Sequence, residues 1–276
     1  MKPTSIQLAA LTFLFLLSIP VRAQSYRIEL NLGVEAYKNN RYDEAIQHFR
    51  KATELDASQT IARMYLATAY VSQYIPGVDT KDNTLLAEQA IEQYQQVLDS
   101  DAVGDSKINS AKGIAYLYLN MKKFEESKYY YQRASGLDPS DPEPYYFIGV
   151  IDWTDSYQPR MEERAKLGMR PEENLNPRKP DQRKACDELR AKNLSSVEDG
   201  IENLDKAIQL RPGYDDAMAY LNLMYRERAD LDCEDPAARK QDLKTADDWV
   251  DKTLAIKKAK AEKANRQPVP MAPSPQ

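Results

Sequence analysis

Small and large apolar residues alternate along this chain at three- and four-residue steps, and the alternation comes in paired segments. In NLGVEAYKNNRYDEAIQHFRKATELDASQ (31–59), Gly33 marks a first segment. Ala45, twelve residues later, opens a second that carries Phe49, Ala52 and Leu55. Steps of three and four hold such residues on one face of a helix. Antiparallel helices approach closely where small side chains let ridges settle into grooves and large ones fill the flanks. The pattern predicts a helix, a short turn, and a second helix packed back on the first.

The unit recurs in KGIAYLYLNMKKFEESKYYYQRASGLDPSD (112–141). There Ala115 stands twelve residues before Ser127, followed by Tyr131, Ala134 and Leu137, and Pro139 stops the second helix. Two copies at one spacing resemble the tetratricopeptide repeat, and the resemblance extends over nearly all the chain beyond its first residues. It implies an all-α fold, a right-handed superhelical solenoid of about five helix-turn-helix units near 26–59, 60–104, 108–141, 142–214 and 215–258.

Three of those units fit only with their helices spread apart. MYLATAYVSQY (64–74) supplies Ala67 and AEQAIEQYQQVLDSD (87–101) its partner Ala90, 23 residues on. YYFIGVIDW (145–153) supplies Gly149, and EDGIENLDKAIQLRPG (198–213) answers with Gly200 at a distance of 51. AMAYLNLMYRERAD (217–230) pairs Asn222 with Ala246 of KTADDWVDKTLAI (244–256), 24 apart, and departs from the pattern by using Asn for a small residue. Units 2, 4 and 5 therefore carry insertions between their helices. In a solenoid such turns share one edge, so the insertions are expected along one rim, a favoured place for a working surface.

The largest insertion, 155–196, has internal structure. MEERAKLG (161–168) forms two helical turns closed by Gly168 and Pro171, and PEENLNPRKPD is extended. Asp181 caps QRKACDELRAK. This helix either continues into its partner or breaks at Asn193, where Ser195 and Glu198 would form a capping box. Ten basic against eight acidic residues make the segment mildly positive on an acidic body, so it is expected to fold back on its own solenoid.

Residues 1–23 change the compartment. A basic start, the apolar run IQLAALTFLFLLSIPV and the small residues before Gln24 predict a signal peptide cleaved after Ala23. The run is shorter than the ~20 residues of a spanning helix, and no second one follows. With no Cys after the cleavage site a lipoprotein is not expected, nor is stable membrane insertion; the product is soluble and periplasmic or secreted. Cleavage leaves 36 basic and 43 acidic side chains, a net charge near −7 that gives nucleic-acid binding no footing. In an oxidising compartment the two cysteines, Cys186 and Cys233, are expected to form a disulfide, since the rim argument makes them neighbours. At the other end KKAKAEKAN gives the last helix a polar cap, and the Pro-rich tail (266–276) is expected to be disordered.

Catalytic chemistry finds no support. His48 is the single histidine and is expected to face solvent on a second helix. There is no CxxC, HExxH or GxSxG and no glycine-rich loop after a strand, so no catalytic, cofactor-binding or metal residues are assigned and no cofactor is implied. The family resemblance points instead to a concave groove lined by first helices, here Leu30, Tyr37, Met64, Val71, Tyr116, Leu119, Tyr146 and Trp153. Of these Tyr37, Met64, Tyr116, Tyr146 and Trp153 are the candidate peptide-binding residues, because aromatics combine large contact area with a polar handle. The family's carboxylate clamp for chaperone C-termini is not matched: Leu30, Val34, Tyr65 and Gly113 stand where it wants polar or basic groups. Two functional readings follow. One is a non-enzymatic scaffold that binds a protein or peptide by groove and rim; the alternative is a small-ligand or peptide-binding protein with 155–196 as a lid.

Overall fold

The computed structural model describes residues 23–171 and 173–266. Among the described residues there are ten helices and no strand, so the all-α expectation holds. The expected leader and the Pro-rich tail fall, but for Ala23 and Arg266, outside the described residues. The chain divides after Leu137 into two compact units.

The first unit holds α1 (23–38), α2 (Tyr42–Leu55), α3 (Thr60–Gln73), α4 (Lys81–Leu98), α5 (Asp105–Asn120) and α6 (Phe124–Leu137). From α2 onward each helix packs against the next. The twelve-residue spacing has a local cause. After α1 the chain turns through Asn40 at φ 59°, with Arg41 N bonded to Ala36 O and Asn40 N to Tyr37 O. After α5 it turns through Lys122 at φ 58°, with Lys123 N on Tyr118 O and Lys122 N on Leu119 O. Both are Schellman turns, in which one left-handed residue reverses the chain and satisfies two terminal carbonyls.

Small residues then sit where the pattern needs them. A side chain at Gly33 would collide with the Phe49 ring, and one at Gly113 with the Tyr94 ring. Buried Ser127 donates to the Ala115 carbonyl at 2.8 Å across its turn. The 74–80 link is pinned by buried Asn83. Its Oδ1 accepts from Ile75 N (2.8 Å), and its Nδ2 donates to the carbonyls of Ile75 (2.9 Å) and Val78 (2.7 Å). The expected solvent-facing His48 is corrected: it is three-quarters covered, with Nδ1 2.7 Å from Oε2 of Glu29. The acid on the facing helix draws it inward.

The second unit holds α7 (Pro142–Lys166), α8 (Pro180–Leu210), α9 (Asp215–Leu231) and α10 (Pro236–Arg266). Successive helices pack together, and α7 also meets α9. The widely separated segments are companions: a methyl at Gly149 would lie on Leu204 of α8, and one at Gly200 on Met224 of α9 and Asp152 of α7. The 155–196 segment, however, is mostly helix. Far from ending before a separate insertion, α7 runs through Pro159 to Lys166, and α8 runs unbroken past Asn193. Only residues 167–179 link the two. An internal Pro costs a helix about 3 kcal/mol or more, which burial of Ile151, Ser156 and Arg164 around it helps offset. Asn193 of α8 donates to the Ser156 carbonyl (3.0 Å) within the turn that Pro159 disrupts. The helix then ends at Gly168, φ 64°, in a third Schellman turn with Met169 N on Arg164 O. Cys186 of α8 and Cys233 of the α9–α10 link form a disulfide, their Cα atoms 6.2 Å apart.

Candidate functional site

Helix α7 presents Tyr146, Trp153, Tyr157, Arg160 and Arg164 at steps of seven, four, three and four, which is one helical face. Helix α9 offers Tyr220, Leu223, Glu227 and Asp230 at the same kind of spacing. Where these faces meet, the rings form a continuous band. Tyr146 lies 4.9 Å from Tyr214 and 5.9 Å from Tyr220; Tyr220 stands edge-on to Trp153 at 5.5 Å; Trp153 stacks on Tyr157 at 4.9 Å. The Arg160 guanidinium, 5.2 Å over the Tyr157 ring, ends the band in charge.

A charged network continues from there. Arg160 reaches Glu227 (2.7 Å) and Asp230 (2.8 Å), and Arg164 reaches Asp230 (2.9 Å) and the Glu173 carbonyl (2.8 Å). The Arg160–Glu227 contact is an ion pair without the alignment of a hydrogen bond. Arg239 adds a third cation to Asp230 at 3.5 Å. Burial pushes the Glu227 carboxyl up to about 7, against the pull of Arg160 and helped by the neighbouring Asp230 charge. Burial likewise raises Tyr146, reinforced by Tyr220 and Tyr214, and pushes Tyr214 up to about 12. These phenols stay neutral at any physiological pH and act as apolar surface with a hydrogen-bonding tip. Between band and network lies a cleft of about 400 Å³, walled by Trp153, Tyr157 and the 167–179 link at Pro171 and Asn174.

The structure thus brings two predicted residues, Tyr146 and Trp153, around Tyr220. Of the others, Tyr37 is half-buried and bonds Ser72 Oγ (2.9 Å), while Met64 is half-buried and accepts from Ser110 Oγ (3.0 Å). Tyr116 is 39% exposed. All three belong to the first unit. The sequence reading missed Tyr157, Arg160, Arg164, Tyr220, Glu227 and Asp230; their helical spacing was the available signal. Among the described residues no group of histidine, cysteine and acidic side chains could hold a metal ion, and no helix is long and apolar enough to cross a membrane.

Tetratricopeptide-repeat family models match residues 26–58 and 113–141. No curated protein matches the chain. Among solved structures, a crystal structure of MamA protein is 15% identical, covers 92% of this chain and 100% of its own, and superposes with a TM-score of 0.56. A fragment of MamA, residue 41 to the end, from Desulfovibrio magneticus RS-1 is 14% identical over 85% of this chain and 96% of its own, TM-score 0.54. At such identities the likeness is one of fold. Matched repeats at 26–58 and 113–141, Schellman turns at the repeat spacing and that shared fold together show that the chain carries tetratricopeptide repeats.

Proposed function

We propose that the protein is an exported, non-enzymatic scaffold that binds a protein or peptide, with the α7–α9 face, anchored by Tyr146 and Trp153, as its principal contact surface. The band from Tyr214 to Tyr157 carries this reading. It is large aromatic area set beside a charged cleft, the combination that interface anchors use. In the first unit the same reading assigns Tyr37, Met64 and Tyr116 to a groove. The repeat fold supports a protein-interaction role, and the Cys186–Cys233 bond fits an oxidising compartment outside the cytoplasm. The lid alternative is weaker. The 167–179 link is pinned by Arg164 on Glu173, by Asn176 N on Gln182 Oε1 (2.9 Å) and by burial of Leu175, which suits a fixed wall.

A photo-crosslinking side chain at Tyr157, compared with one at exposed Lys244 on α10, tests the surface in cells that export the protein. A discrete protein adduct from Tyr157 that disappears when Trp153→Ala is added is the expected result. Equal adducts from both positions would remove the assignment.

A further inference from the structure

We propose that the cleft beside Trp153 takes the carboxylate of an acidic side chain on the partner; this rests on the protein-binding reading above and names the partner's chemistry. Four arginines line the cleft, Arg160, Arg164, Arg226 and Arg239, against two acids, Glu227 and Asp230. Asp230 alone is shared among Arg160, Arg164 and Arg239 and Arg226 is paired with Asp247, so among the described residues cations exceed anions around the cleft by one.

The decisive group is Arg164. Its side chain is 2% exposed, its Nε is satisfied by Glu173 O and its Nη2 by Asp230, while Nη1 has no acceptor among the described residues. Trp153, on the same cleft, likewise keeps a buried Nε1–H without an acceptor. Buried donors are nearly always paired, and an unpaired one on a cation is especially costly. Two such donors on the walls of one cleft with surplus positive charge suit an anion. A carboxylate in the cleft accepts charge-assisted hydrogen bonds from the guanidinium, with the Trp153 ring also on the cleft wall. The Trp153 and Tyr157 rings then offer apolar area to the residues flanking it. A polyanion is disfavoured by the chain's net charge of −5. Leu30, Val34, Tyr65 and Gly113, where the family's clamp would stand, belong to the first unit and do not line this cleft.

The test exploits the tryptophan count. The chain has two tryptophans, so the labelled full-length protein gives two indole N–H resonances, with Trp249 on α10 as internal reference and a Trp249→Phe variant to assign them. Titration with amidated acetyl-GLELG is expected to move the Trp153 resonance saturably and leave Trp249 in place. The GLQLG counterpart is expected to bind at least about tenfold more weakly. Arg164→Lys should produce a similar loss, and the peptide pair needs no protein variant should that one fail to fold. No movement at about 10 mM peptide, the weak end of single-residue recognition, overturns the proposal. So does acetate acting as well as the peptide, which would make the cleft a small-anion site. Equal binding of both peptides would remove the acidic preference and leave the protein-binding reading standing. A clear Glu preference without any Tyr157 adduct in cells would do the reverse.

Discussion

Reducing the Cys186–Cys233 bond should weaken the second unit selectively. The bond closes a loop of 47 residues. In the chain-entropy account a loop that long stabilises the folded state by about 4 kcal/mol, because it removes open conformations from the unfolded chain. The figure is an upper one to the extent that the reduced unfolded chain is already compact. Both tryptophans, Trp153 and Trp249, lie in the second unit and none in the first, so tryptophan fluorescence reports that unit alone while far-ultraviolet circular dichroism reports both. With a urea slope of about 2 kcal/mol per molar for a unit of this size, the fluorescence midpoint should fall by about 2 M on reduction. Because Cys186 is 1% exposed, the reductant has to act during unfolding, and reduced and oxidised samples must be refolded before comparison. Comparing the two forms of the wild-type chain leaves packing unchanged, which a Cys→Ala variant would not. A midpoint that moves by less than about 0.3 M would refute the entropic reasoning. Two titratable thiols in the purified protein without reductant would refute the bond itself.

Four further outcomes are expected. Gly149→Ala should destabilise by up to about 2 kcal/mol, since overpacking against Leu204 costs about 1–3 kcal/mol and the better helix former returns about 1. Gly136→Ala in α6, whose new methyl meets nothing within 4 Å, should stabilise by about 0.5–1 kcal/mol; thermal melts decide both. Asn83→Ala should cost about 2 kcal/mol and open the 74–80 link to proteolysis, because three backbone groups lose their partner. Glu227 binds its proton more tightly folded, at about 7, than unfolded, so its contribution is complete below its ordinary range near 4.5 and is lost as pH rises through 7. Stability of the second unit should therefore drop by up to about 3 kcal/mol between pH 4 and pH 8, measured by fluorescence-detected urea unfolding, and Glu227→Gln should flatten that slope.

The first unit was legible because its signals are local. Gly33 against Phe49 and Ala115 against Ser127 are visible as spacing, and the spacing is fixed by one left-handed residue per turn, Asn40 or Lys122. The second unit obscures that economy. Pro159 reads as a stop by every local rule, yet α7 continues through it. Contacts made 34 and more residues further on override the local preference: Asn193 on Ser156, and Arg160 and Arg164 on the acids of α9. The companion helices were still recoverable from Gly149 and Gly200, since close approach demands small residues whatever the length between them.

The same override decided how much of the site could be read. Tyr146 and Trp153 precede Pro159 and were named as candidates; Arg160 and Arg164 follow it and were read as part of a mildly positive segment folding back on the body. That reading was right in its electrostatics and blind to its geometry. Spacings of four, three and four from Trp153 through Tyr157 and Arg160 to Arg164 continue a single face, and Glu227 and Asp230 stand three apart on another. An aromatic stripe that passes into arginines at unbroken helical spacing is therefore evidence that the helix has not ended. Solvated charge has no need to keep a phase that buried charge must keep to meet its partners. Arg164, 2% exposed and short of one acceptor among the described residues, is the extreme case of charge placed with core-like regularity.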